Sequence, residues 1–228
     1  KLVSFTFNGI GLFNNVKTSY DTGTGTLKEY RGKGLATKVF TYSLPYLRKA
    51  YVKQYLLEVL QHNTKAVSVY QKIGFTVNRE FNYFSQRVNE VKLKSKTINP
   101  NYQIRTIDLS FSKLMTELWD FTPSWQNSFE AIARKPEDFI ILGTFKEQNL
   151  IGYCVFEPNS GDITQIAVHK KHRRKGIATS LLETAMNSNL HSTVKCINTE
   201  IKCNSITAFL ESFEIPLKGK QFEMIKQL

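Results

Sequence analysis

Arg173-Arg174-Lys175-Gly176-Ile177-Ala178-Thr179 follows the apolar run Ile166-Ala167-Val168 and the basic turn His169-Lys170-Lys171-His172. Beyond the glycine, Ile177, Leu181, Leu182 and Ala185 recur at helical spacing, so the glycine stands at the start of a helix. The chemistry open to such a stretch is anion binding. The first amides of a helix have no intrahelical partner and carry partial positive charge, so they collect phosphate oxygens. Gly176 and Ala178 keep side chains out of an anion's way. Arg173, Arg174 and Lys175 add positive charge at physiological pH.

Arg31-Gly32-Lys33-Gly34-Leu35-Ala36-Thr37 repeats the arrangement. With Arg31 set against Arg173, the Arg, Lys, Gly, Ala and Thr positions all match. Two copies about one domain length apart indicate a duplicated unit with two anion cradles.

Arg-x-x-Gly-x-Ala after an apolar strand, at the start of a helix, resembles the acyl-CoA diphosphate loop of the GCN5-related N-acetyltransferase (GNAT) superfamily. The likeness extends over essentially the whole chain. It implies an α/β (α+β) fold of two tandem domains, each a mixed, mostly antiparallel sheet with helices on both faces. It also implies acetyl transfer from acetyl-CoA to an amine by direct attack, with no metal and no covalent enzyme intermediate.

The resemblance implies site residues as well. The fourth and fifth strands of the family fold splay apart to take the pantetheine arm, which falls to the backbone of Thr24, Gly25 and Thr26 in the first half and of Ile166, Ala167 and Val168 in the second. The cradles are Arg31, Gly32, Lys33, Gly34, Leu35, Ala36 and Thr37, and Arg173, Arg174, Lys175, Gly176, Ile177, Ala178 and Thr179. Asn63 and Asn204, at the start of the next helix in each half, complete the cofactor set. Tyr70 matches the family's proton donor to sulfur, a phenol that keeps its proton at neutral pH yet can yield it to a strong base. The plain alternative is a core tyrosine on an amphipathic stripe. Aligning the two halves puts Leu210 opposite Tyr70 and Glu214 opposite Gly74. Leucine donates no proton, so the second half either works without a side-chain acid or binds CoA without turnover. For a general base, Asp162 stands at the start of the strand before the cradle and Asp21 within one residue of the matching place. Each is more often a solvated strand-end charge than a catalyst, and Glu58 and Glu200 are weaker candidates.

The remaining elements must hold these residues. Residues 2–7 and 16–27 read as strands, with 8–15 as a turn-rich connection. The small-residue stretch Thr22-Gly23-Thr24-Gly25-Thr26 marks either close approach of a ligand or backbone, or a bulge. A helix starts at Lys33, and Pro45 should kink or end it. A short strand over 55–60 precedes a helix capped by Asn63 and stopped by Gly74, and strand pieces follow at 75–77 and 81–84. The second half reads as a strand over 102–107, helical stretches over 112–121 and 125–134, strands over 139–142, 150–156, 162–168 and 193–202, a helix capped by Asn204, and a last strand over 222–225. This β-α-α-β-β-β-α-β-α-β order is the one the resemblance predicts. The expected domains are 1–95, a partial unit, and 102–228, a complete one, joined by a linker over 96–101. By comparison with the second half, the first lacks roughly 45 to 50 residues at its start.

Composition narrows the rest. No run of about 18 apolar residues occurs, so no membrane-spanning helix and no membrane partner are expected, and the chain does not open on a secretory signal pattern. Cys154, Cys196 and Cys203 lie in apolar, strand-like context and read as buried thiols in a reducing compartment, which points to the cytoplasm. None has the C-x-x-C spacing of a zinc site, and His169 and His172 read as loop residues near a nucleotide. The net charge is +12, and it is uneven: residues 1–96 carry 16 Lys and Arg against 5 Asp and Glu, residues 97–228 carry 15 against 14. Basic residues scattered over several elements, with no recognition motif, argue against a nucleic-acid partner, and a polyanionic nucleotide cofactor also suits positive potential. The second reading kept open is a non-catalytic acyl-CoA-binding or CoA-sensing protein. Neither the acceptor amine nor the oligomeric state is legible in the sequence.

Overall fold

The structure is a computed structural model that describes residues 1–93 and 98–228. Its strands and helices begin with β1 (Ser4–Phe13), β2 (Val16–Thr26), α1 (Leu35–Lys49), β3 (Gln54–Leu60), α2 (Thr64–Lys72) and β4 (Thr76–Arg87). They continue with β5 (Tyr102–Thr106), α3 (Ser112–Thr116), α4 (Phe129–Ile132), β6 (Ile140–Lys146), β7 (Asn149–Glu157) and β8 (Asp162–Val168). The last are α5 (Ile177–Met186), β9 (Thr193–Glu200), α6 (Asn204–Glu211) and β10 (Leu217–Gln227). Two compact units result, Lys1–Phe81 with Gly219–Leu228, and Asn82–Lys218. The units therefore do not follow sequence order, since the last ten residues belong to the first. Two residues of the linker expected over 96–101, 96 and 97, lie outside the described residues.

In the first unit the strand order is β1-β2-β3-β10, with the beginning of β4 beside β10. β1 and β2 form an antiparallel hairpin from Ser4–Thr26 to Phe13–Val16. Asn14 and Asn15 close it with φ of 50° and 62°, the left-handed pair that a two-residue hairpin turn requires. Most of the connection expected over 8–15 is thus strand. α1 runs through Pro45 instead of ending there. Phe40 on one side of the proline and Leu47 on the other are both buried in the core with Tyr55, Leu57, Phe75 and Met224. Packing of an apolar face outweighs one missing helical hydrogen bond. Likewise β4 is one strand rather than two pieces.

The second unit orders its sheet β5-β6-β7-β8-β9, with the end of β4 beyond β9. One face packs on α5 through Ile177, Leu181, Leu182 and Ala185 together with Phe156, Ile163 and Val194. The other face carries Met115, Leu118 and Ile132 against Tyr153 and Val155. The helical stretches expected over 112–121 and 125–134 shrink to the single turns α3 and α4. Trp119 stacks on Phe129 with 5.6 Å between ring centroids and donates from Nε1 to the Tyr153 hydroxyl at 2.6 Å. Side-chain burial, not local helix propensity, shapes that segment. Cys154 and Cys196 are buried, whereas Cys203 is partly exposed beside α6, outside any strand. Among the described residues no helix is long and apolar enough to cross a membrane.

Candidate functional site

In the second unit, parallel neighbours β8 and β9 pair, among the described residues, only at Asp162 and Lys195, then diverge. The wedge that keeps them apart is built from side chains. Asn127 donates from Nδ2 to the Ile197 carbonyl at 3.0 Å, so that carbonyl is engaged by a side chain in the gap. Gln165 donates to the Asn127 carbonyl at 2.6 Å and accepts from the Tyr153 hydroxyl at 2.6 Å. Asn198, at φ 57°, reaches Ser124 Oγ at 3.0 Å. A cavity of about 460 Å³ opens from the gap, lined by Thr164 to Val168 of β8, by Cys196 to Thr199 of β9 and by the cradle residues Arg173, Arg174, Gly176, Ala178 and Thr179. Thr199 Oγ1 is buried in that wall and meets no hydrogen-bond partner among the described residues.

The cradle itself has the expected form. Gly176 adopts φ 85° as the residue before α5, and the first intrahelical bond runs from the Ser180 amide to the Gly176 carbonyl at 3.0 Å. The amides ahead of Ser180 are therefore those a helix leaves without intrahelical partners. Arg173 is less free than its motif suggests. Its Nε donates to the Val168 carbonyl at 2.9 Å, pinning the strand end, and its Nη2 lies 2.8 Å from Asp120 Oδ2. Burial alone would raise the Asp120 carboxyl, but hydrogen bonds from Arg173 and Ser205 and the charges of Arg173 and Lys170 hold it below the usual range. Ile177 turns its side chain into the core, so it offers only backbone.

The first unit repeats this geometry. β2 and β3 pair in parallel from Thr18–Gln54 to Tyr20–Leu56 and then part. Gly34, at φ 71°, precedes α1, and the first helical bond runs from Lys38 to the Gly34 carbonyl at 3.1 Å. Leu35, Ala36 and Thr37 form the first turn. A Cβ on Gly32 or Gly34 would meet nothing within 4 Å, so backbone conformation rather than crowding calls for glycine there. Arg31 Nε donates to the Thr26 carbonyl at 3.0 Å, as Arg173 does to Val168. Lys33 lies over the Tyr30 ring at 5.1 Å. Gly25 makes room for a side chain: a Cβ there would come within 2.7 Å of the Phe5 ring. Lys175 and Arg174 are the outer basic residues of the second cradle, with Arg174 at φ 62°.

At the point where β2 leaves β3, Asp21 accepts hydrogen bonds from the Gly23 amide at 2.9 Å and from Thr24 Oγ1. Tyr70, on α2, directs its hydroxyl to Asp21 Oδ2 at 3.4 Å. Burial is the main cause that raises both groups; bonds from Thr24 and Gly23 partly offset it for Asp21, and the Asp21 charge adds to it for Tyr70. Nearby, Tyr20 hydrogen-bonds Glu58, whose carboxyl burial pushes up to about 8.

The alignment of Tyr70 with Leu210 has a structural counterpart. Both helices end on the same cap, with the Phe75 amide on the Tyr70 carbonyl at 3.0 Å and the Ile215 amide on the Leu210 carbonyl at 3.1 Å. Gly74 and Glu214 supply the left-handed residue at φ 91° and 58°. Leu210 is fully buried in the core. Asn63 caps α2 by accepting from the Ala66 amide at 3.3 Å. Asn204 does not cap α6; Cys203 holds that position, and Asn204 lines a smaller pocket with Asp120 and Arg173. Asp162 stands at the closed end of the gap, outside the cavity lining, 4.0 Å from Lys195.

Sequence comparison matches the acetyltransferase (GNAT) family over residues 7–75 and 102–200. The chain belongs to the acetyltransferase (GNAT) family. Both GNAT segments span one splayed strand pair and one glycine-opened helix. A curated relative, a probable spermine N(1)-acetyltransferase of Bacillus subtilis subsp. natto (strain BEST195), is 32% identical over 62 residues, which is 27% of this chain and 41% of that protein. This chain thus spans less than half of that relative. Among solved structures, a tandem GNAT protein from the clavulanic acid biosynthesis pathway superposes with a TM-score of 0.73 at 12% identity, covering 97% of this chain and 78% of its own. A GCN5-related N-acetyltransferase from Sphaerobacter thermophilus gives 0.69 at 14% identity, covering 97% and 76%. These two likenesses concern the fold.

The wedge residues Asn127, Tyr153 and Gln165, and the bridge from Asp120 to the GNAT cradle, have no motif. The one available signal is polar residues inside otherwise apolar strands, as with Gln165 between Ile163 and Ile166.

Proposed function

We propose that this GNAT protein transfers an acetyl group from acetyl-CoA to an amine. The observation that carries the reading is the recurrence, in both units, of a left-handed glycine at a helix start beside a parallel strand pair that parts after its first contacts. The cavity walls suit the arm of such a co-substrate: Thr199 Oγ1 is a buried polar atom that a pantetheine amide would satisfy, and the cradle amides suit a diphosphate. Bound acetyl-CoA supplies the acetyl carbonyl and a thiol leaving group.

In this reading Tyr70 of the first unit is the proton donor, because its hydroxyl is directed to Asp21, the first residue beyond the β2–β3 pairing. The first acceptor to try is a polyamine, since the curated relative carries spermine in its name. Asp162 is the less favoured base, since it lies at the closed end of the gap and outside the cavity lining. The test is thiol release from acetyl-CoA in the presence of spermine, spermidine and simple alkylamines. Tyr70→Phe should lower kcat about 10²-fold, while release equal to the buffer rate with every amine would end the reading.

A specific observation supports a second reading for the second unit alone. With Leu210 packed in the core opposite Tyr70, that unit has a cavity for the co-substrate and no matching acid, so it holds acetyl-CoA without turning it over. Equilibrium dialysis of CoA against Arg173→Ala separates binding there from turnover elsewhere.

A further inference from the structure

We propose that Asp21 is a catalytic residue of the first unit that carries the acceptor's proton to Tyr70, so that the two side chains form one proton relay from amine to sulfur. This rests on the acetyl-transfer reading above.

Three observations carry it. Asp21 is the first residue after the last β2–β3 pair, Tyr20–Leu56, and so stands at the apex of the opening. Its carboxylate is fixed by the Gly23 amide and by Thr24, which orients Oδ2 toward the Tyr70 hydroxyl at 3.4 Å. Tyr70 is itself held edge-on against Phe40 and Phe75, at centroid distances of 5.6 and 5.9 Å, so the pair meets in one geometry. The other titratable groups that face Asp21 are Tyr20 on β2 and Tyr55 and Glu58 on β3. The Tyr20 hydroxyl bonds Glu58 and that of Tyr55 bonds Asn8, whereas that of Tyr70 is directed to Asp21 itself.

The coupling sets the order of events. Burial is the largest cause that holds the proton on Tyr70, and while Asp21 is ionised its charge and its hydrogen bond add to it. Once Asp21 is neutral, that added restraint is gone. As the amine nitrogen bonds to the acetyl carbon, Asp21 accepts the proton the nitrogen loses. As the carbon–sulfur bond breaks, Tyr70 gives its proton to the departing sulfur and takes the one on Asp21. A free amine and a thioester become an amide and a thiol, and both side chains return to their starting states. Proton release to sulfur is thereby tied to amine attack, which suppresses acid-assisted loss of the acetyl group before an acceptor arrives.

The decisive measurement reads Tyr70 by phenolate absorbance at 295 nm, as the difference between each protein and its Tyr70→Phe partner. Asp21→Asn, which preserves the bonds to Gly23 and Thr24, should shift the Tyr70 titration down by about one pH unit or more. An unchanged titration overturns the relay. In turnover of acetyl-CoA with spermine, Asp21→Asn and Tyr70→Phe should each lower kcat about 10²-fold, the double variant should be no slower than the slower single, and Asp21→Glu should recover part of the rate. Losses that multiply in the double variant would show independent roles and also overturn it. Absence of turnover in the parent protein would count against the acetyl-transfer reading, and the titration would still decide whether Asp21 controls Tyr70.

Discussion

Asp120 lies 2.8 Å from the guanidinium of Arg173 and also accepts from Ser205 Oγ at 3.1 Å, so one carboxylate joins the cradle to the first turn of α6. An internal anion thus already occupies the outward face of the motif arginine. Asp120→Ala should free that face and tighten CoA binding to the second unit. For a half-exposed ion pair worth up to about 1 kcal/mol, the gain is up to about fivefold. Isothermal titration with CoA at low and high salt checks this. Weaker binding in the variant would mean that Asp120 supports the arm.

Gly161 makes the closed end of the same gap possible. It sits at φ 67°, its carbonyl accepts from the Lys195 amide at 2.8 Å, and an added Cβ would lie 2.0 Å from the Thr193 carbonyl oxygen. Gly161→Ala should therefore cost about 3 kcal/mol or more, combining the left-handed penalty with a backbone clash. Thermal unfolding should show a clear drop in Tm. Gly34→Ala provides the contrast, since nothing stands within 4 Å of its Cβ, and only the conformational penalty of about 1–2 kcal/mol applies.

Two buried carboxyls should make stability fall as pH rises. Burial pushes Asp162 from 3.8 up to about 7, with Lys195 opposing, and Glu58 from 4.5 up to about 8, with its bond to Tyr20 opposing. Glu58 is only partly buried as a residue, but its Oε1 is sealed from solvent. Between each pair of values the folded chain holds a proton that the unfolded chain has lost. The stabilisation is complete below about pH 4 and disappears as pH passes 7 for Asp162 and 8 for Glu58. Asp162→Asn and Glu58→Gln should each flatten the decline of Tm between pH 5 and 8.5, corresponding to a stability difference on the order of a few kcal/mol at most. Parallel Tm curves for parent and variants would contradict this.

Thiol labelling should distinguish the three cysteines. Cys154 is buried and pushed up to about 12, Cys196 is buried and raised, and Cys203 is partly exposed on the cavity wall. A disulfide reagent should titrate one thiol in the folded protein and three after denaturation, and CoA should slow the first reaction. Rapid labelling of a second native thiol would contradict the packing of β7 and β9.

Much of the site was legible because its signals are local. A left-handed glycine before an amphipathic run identifies a helix start with free amides wherever it occurs, and both Gly34 and Gly176 fulfil it. Asn63 and Gly74 likewise mark the ends of α2 by cap chemistry within a few residues. The shortfalls have a common cause. Pro45 and the aromatics Trp119 and Phe129 sit where burial overrides local preference, and Asn204 gave way to Cys203 because a cap depends on where the backbone turns.

The sequence by itself determined the two glycine-opened helix starts, the order of strands and helices, and the leucine that stands at 210 opposite Tyr70, since each depends on residue type and short-range spacing. Tertiary structure decided which strands share a sheet, what opens the gap between β8 and β9, and which carboxylate meets Tyr70. Gly219–Leu228 completes the first unit because Glu223 meets Arg79 at 2.7 Å and Met224 fills that unit's core. Strand pairing and side-chain wedges join residues far apart in the chain, and their energies exist only once those residues are brought together.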